Sequence, residues 1–86
     1  MDELLGEVVV LDTQGPMIFM GRLVRIAADC FVLEDADVHD RTEGHSNKEL
    51  YVLNALKLGV RVNRRRTFVP RRHVVAVSTL RDVIPE

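Results

Sequence analysis

At 86 residues the chain has room for one domain and one modest core, because so short a polypeptide buries only about 60–65% of the surface its unfolded form exposes. Hydrophobic residues make up 47% of it and aromatic residues only 5%, so the core is to be built from Val, Leu and Ile, a composition that leans toward strands. The net charge of −1 excludes a uniformly basic or acidic protein, the single cysteine, Cys30, excludes an internal disulfide, and no apolar run approaches the ~20 residues that span a bilayer.

The opening Met1-Asp2-Glu3-Leu4-Leu5-Gly6 lacks the basic and apolar regions of a signal peptide, so a soluble, cytoplasmic protein with no membrane attachment is expected. Glu7 to Thr13 (EVVVLDT) is rich in β-branched residues and closes on Gln14-Gly15-Pro16, a turn signal; it reads as a first strand. Met17 to Ile26 follows as a second, with Gly21 inside it marking a bulge or sharp bend. After Ala27-Ala28-Asp29, residues Cys30 to Val38 read as a third strand, completing a meander. The pattern then breaks at His39 to His45, a polar loop without periodicity.

Ser46-Asn47-Lys48-Glu49 has the spacing of a capping box, and Gly59 stands where a left-handed C-terminal cap belongs. Between them Leu50 to Leu58 is strong in helix formers, which predicts a helix over about 47–58. Its apolar residues cover most of the helical wheel and leave a narrow polar stripe through Asn54 and Lys57. Such a helix is expected to pack on the sheet, with a neighbouring subunit as a further surface. Val60 to Val69 and His73 to Thr79 read as the last two strands, separated by Pro70-Arg71-Arg72. Five strands with a bend glycine predict one mainly β domain over 1–86: a small, strongly bent, five-stranded antiparallel barrel with one helix inserted between strands three and four.

The two signs of charge are segregated. Residues 29–49 hold Asp29, Glu34, Asp35, Asp37, Asp40, Glu43 and Glu49 against Arg41 and Lys48, whereas Arg61, Arg64, Arg65, Arg66, Arg71 and Arg72 fall in an acid-free stretch over 61–72. If 64–66 is extended, Arg64 and Arg66 share one face and Arg65 takes the other. These arginines suit phosphate contacts with a steep salt dependence, or ion pairs with the acidic segment. Few rings are present to stack single-stranded bases, Phe68 and Tyr51 being the nearest.

The stretch Glu7 to Ala36 resembles the first Sm motif, with its opening strand, Gly21-Arg22-Leu23, the acidic Asp29 and a strand ending Leu33-Glu34-Asp35-Ala36. Thr67 to Val77 (TFVPRRHVVAV) is similar to the second, an apolar strand, a tight turn and another apolar strand. The resemblance implies the Sm-like (LSm/Hfq-type) bent barrel, a homo-oligomeric ring, hexamer or heptamer, that pairs the fourth strand of one subunit with the fifth of the next, and RNA bound by two loops. Those loops map to Ala27-Ala28-Asp29-Cys30 and Val69-Pro70-Arg71-Arg72. The sequence departs from the family there: Cys30 stands near the expected Asn, and Pro70-Arg71 replaces Arg-Gly. A further departure is the N-terminal helix, for which Met1 to Gly6 offers at most one turn.

The residues expected to touch nucleic acid are therefore Asp29, Cys30, Arg64, Arg65, Arg66, Arg71, Arg72 and His73. The alternative is a non-enzymatic assembly or scaffold module that docks a protein partner through the inserted helix. Asp35, Asp37 and His39 alternate along a strand beside Asp40, Glu43 and His45 but lack a tight ligand signature, so no metal is predicted. With no activated nucleophile, P-loop, GxSxG, HExxH or CxxC, neither catalysis nor a cofactor is expected.

Overall fold

The computed structural model describes residues 1–40, Thr42 and 48–85. Five strands, β1 (Val8–Thr13), β2 (Met17–Ile26), β3 (Cys30–Asp40), β4 (Arg64–Pro70) and β5 (Val74–Thr79), form one antiparallel sheet in the order β4-β3-β2-β1-β5. One helix, α1 (Lys48–Leu58), lies between β3 and β4, and single 3-10 turns cover Asp2–Leu4, Arg71–His73 and Leu80–Asp82.

The apolar run of β1 is continuous because both of its faces are covered. Val9 and Leu11 point into the bent sheet, where they meet Leu23, Phe31, Leu33, Ala36 and Val69. Val10 points the other way and packs with Ile18 and Met20 of β2 beneath Ala55 of α1 and Leu80 of the last turn. The inserted helix thus covers the outer face of β1 and β2, the packing its broad apolar surface predicts. Leu4, in the single N-terminal turn, packs against the inner cluster instead.

Gly21 is where the sheet folds over. A Cβ there would stand 3.0 Å from both Cα and Cβ of Ala36 and 3.1 Å from the Glu34 carbonyl oxygen, so only glycine lets the two strands approach so closely. Beside it the register slips: Met20 pairs with Asp37 but Arg22 with Glu34, and the extra β3 residue, Asp35, takes a φ of 49°. This is a bulge, and it bends β3 at the same level as β2.

Gly59 caps α1 with a φ of 90°, and its N–H donates to the Ala55 carbonyl at 2.8 Å. The expected capping box of Ser46 and Glu49 rests on Ser46, which lies outside the described residues. β1 and β5 each begin one residue later than expected, at Val8 and Val74, His73 closing the 3-10 turn, and two boundaries move further. β3 runs on to Asp40, taking His39 out of the loop and into the strand. β4 begins at Arg64 rather than Val60, since Val60 packs on the outer cluster while Asn63 docks on β3. The Asn63 amide nitrogen donates to the Val38 carbonyl (3.0 Å) and to Asp37 Oδ1 (2.9 Å), and its oxygen accepts from the Val38 N–H (3.0 Å).

Candidate nucleic-acid interface

The turns over 27–30 and 70–73 lie side by side at one end of the sheet. Cys30 pairs with Pro70 across the β3–β4 ladder, and the Arg71 N–H donates to the Asp29 carbonyl at 3.0 Å. Arg71 Nη1 donates to the Ala27 carbonyl at 3.0 Å, and its guanidinium sits 5.4 Å from the centre of the Phe31 ring. Arg71 is therefore committed to holding the two turns together. The third connection of this end joins through the Gln14 N–H, which donates to the His73 carbonyl at 3.4 Å. The side chains of Asp29, Arg72 and His73 are exposed around this junction, and Cys30 is half-buried.

The arginine triplet is extended in β4, and its members have separate roles. Arg66 grips Glu34 with two nitrogens, Nη2 at 2.8 Å and Nε at 3.2 Å, while Arg22 reaches the other Glu34 oxygen at 3.3 Å and Asp35 at 3.1 Å. Two of the acids from the 29–49 segment thus balance Arg66 and Arg22 within the chain. Arg64 donates to the Asn63 carbonyl at 2.9 Å, and alternation carries Arg65 to the opposite side. Among the described residues no carboxylate lies within ion-pair distance of Arg64, Arg65 or Arg72.

The acidic residues of β3 are parted by the bulge. Asp35 turns to the exposed Arg22, whereas Asp37 is buried beside Asn63, and the His39 ring stacks on Tyr51 of α1 at 3.9 Å and 15°. Among the described residues no group of three or more His, Cys, Asp or Glu side chains is arranged to hold a metal. Burial, with the Asp37 carboxylate adding to it, pushes the Tyr51 phenol well above its usual range. Asp40 is exposed and held below the usual carboxylate range by the Thr42 hydroxyl and N–H, which both donate to it. Reading the sequence alone missed Arg22 and Asn63 as organisers of the two clusters. Arg22 lies within a recognisable Gly-Arg-Leu, but nothing local marks Asn63.

No protein-family model matches the sequence, and no curated protein matches it. Among solved structures, a Pyrococcus abyssii Sm protein in complex with a uridine heptamer superposes with a TM-score of 0.61 at 19% identity, over 91% of this chain and 89% of that one. The fold is Sm-like. Two structures of the NatC complex, one bound to Gag peptide and CoA and the other to CoA, contain similar chains, with TM-scores of 0.57 and 0.59, each at 19% identity. They match 88% and 91% of this chain over 84% and 80% of theirs. Each of the five strands expected of an Sm-like barrel is present in this chain, and the two turns that the resemblance singled out are in contact. No helix among the described residues is long and apolar enough to cross a membrane.

Proposed function

We propose that this chain is a cytoplasmic, non-enzymatic RNA-binding protein that works as a homo-oligomeric ring of Sm-like subunits. The observation that carries this reading is the junction of the 27–30 and 70–73 turns, locked by Arg71 and edged by Asp29, Arg72 and His73. β4 and β5 are the two ends of the sheet, and each carries an exposed apolar side chain, Phe68 at 63% and Val75 at 58%. Free edges of this kind invite pairing, and joining β4 of one copy to β5 of the next would cover both. A ring repeats Arg64, Arg65 and Arg72 once per subunit, which turns a near-neutral chain into a multivalent phosphate binder.

Titrating salt against binding of oligo(U), oligo(A) and duplex DNA tests the proposal. Log affinity should fall linearly with log salt, by about 0.7 for each phosphate contacted in a single strand. Arg72→Ala should flatten that slope and weaken all RNA sequences alike. No binding to any of these at low salt sinks the reading. Light scattering should give the mass of a hexamer or heptamer; a monomer at micromolar concentration removes the ring.

The second reading is a protein-assembly module. It is favoured by the exposure of Leu58 (85%) at the end of α1 and Val62 (53%) after it, and by similar chains within the NatC complex. RNA migration unchanged by the protein, together with a ring by light scattering, would support it over the first.

A further inference from the structure

Val69 of β4 is buried in the inner cluster, so strand alternation places Arg64, Arg66 and Phe68 on the outer face of the sheet. Directly paired residues on neighbouring strands share a face. Arg25 of β2 pairs with Val32 of β3 and Val32 with Phe68; next to them Arg22 pairs with Glu34 and Glu34 with Arg66. Two adjoining rows thus cross three strands on the outer side. The outer cluster beneath α1 takes only Ile18 and Met20 from β2, both ahead of the bend, and leaves these rows uncovered. Val32 is 6% exposed and forms the floor, whereas the Phe68 ring beside it is 63% exposed. Arg25 and Arg64 are exposed as well, and among the described residues no carboxylate lies within ion-pair distance of either.

An apolar ring left mostly in water has no packing role to explain it. Around Phe68 stand Arg22, Arg25, Arg64 and Arg66 against the carboxylates of Glu34 and Asp35, so the patch stays cationic. A ring among arginines suits a single strand, whose unpaired bases stack on the aromatic while its phosphates meet the guanidinium groups. We infer that the outer face of β2, β3 and β4 is a second RNA surface, a sequence-tolerant platform on which Phe68 stacks a base and Arg25, Arg64 and Arg66 hold the flanking phosphates. The choice of RNA rests on the RNA-binding reading; the preference for unpaired bases rests on the exposed ring. Pairing of the β4 edge runs in the plane of the sheet and these side chains stand perpendicular to it, so the platform is compatible with a ring of subunits.

Measuring the affinity of the full chain for oligo(U), oligo(A) and a duplex RNA tests the inference, with Phe68→Leu keeping an apolar side chain at this exposed position. Phe68→Leu should weaken oligo(U) and oligo(A) about tenfold each and leave duplex RNA unchanged, because a duplex offers no free base to stack. It should also keep the salt slope, since no charge is lost, whereas Arg25→Gln should lower that slope by about 0.7. In NMR the Phe68 ring signals should move when either single strand is added. Unchanged affinity in Phe68→Leu, or an equal loss for duplex and single strands, overturns the inference. So does a smaller particle by light scattering, which would assign Phe68 to the contact between subunits. Salt-dependent binding that Arg72→Ala weakens and Phe68→Leu does not removes the platform and leaves the junction of the two turns standing. Binding that Phe68→Leu weakens and Arg72→Ala does not does the reverse.

Discussion

Tyr51 is the only tyrosine of the chain, and the chain has no tryptophan, so its ionisation can be read directly from tyrosinate absorbance. Burial and Asp37 raise its pKa in the folded state above the ordinary value of 10.0. The unfolded chain then gives up this proton first, and the folded chain holds more protons at high pH. The stability linked to Tyr51 is fully present below about pH 10 and is lost progressively as the pH rises above it. A spectroscopic titration should show no tyrosinate near pH 10.5 while the protein stays folded, and Tyr51→Phe should remove this part of the alkaline loss. At Glu34 the balance is different. Both arginines that grip it are substantially exposed, with 42% and 59% of their side-chain surface accessible, so solvent screens the attraction. Glu34→Gln should cost only about 0.5–1 kcal/mol in urea unfolding and less in high salt. It should also release Arg66, and in the proposed RNA complex strengthen binding at low salt.

At the level of elements, the bend in β2 and β3 has one steric cause. Gly21→Ala would press a methyl group onto the Ala36 backbone, which cannot rotate away as a side chain would. Overpacking of this kind costs about 1–3 kcal/mol, and thermal unfolding should detect it as a lowered Tm. The inserted helix depends on the outer cluster. Ile18 is fully buried there, and Ile18→Ala should destabilise the fold by about 3 kcal/mol, part of it from the cavity left behind. Helical circular dichroism should fall along with the rest of the fold rather than before it, because α1 and β1 share that cluster.

For the whole molecule, the deciding feature is that the sheet ends at β4 and β5. A chain this small has a thin margin of stability, and covering both edges with neighbours adds buried surface that a monomer lacks. If the proposed ring forms, Tm should rise with protein concentration, as mass action requires when assembly binds only the folded state. A Tm independent of concentration over two decades would argue for a monomer. The same repetition would let a chain of net charge −1 serve a polyanion: Glu34 and Asp35 are drawn into ion pairs and Asp37 is buried, while Arg64, Arg65 and Arg72 stay exposed.

Five strands, an inserted helix and a bend at Gly21 were legible in the residues alone, because each is written in local periodicity or in a glycine; the Sm-like motifs singled out the two turns, and only the tertiary structure showed that they touch. Arg64 to Arg66 also stood out as basic, but nothing local said which of them would be neutralised. That choice needed the β3–β4 register, which sets Arg66 opposite Glu34 and carries Arg65 to the other side. The extension of β3 through His39 and the late start of β4 were likewise decided by Asn63, whose partners lie 25 and 26 residues away. The outer face that sets Arg25 and Arg22 in rows with Phe68 and Arg66 depends on three separate strands, and no periodicity within any one of them announces it. Local chemistry fixes elements; only packing brings distant polar groups together and leaves some of them without partners.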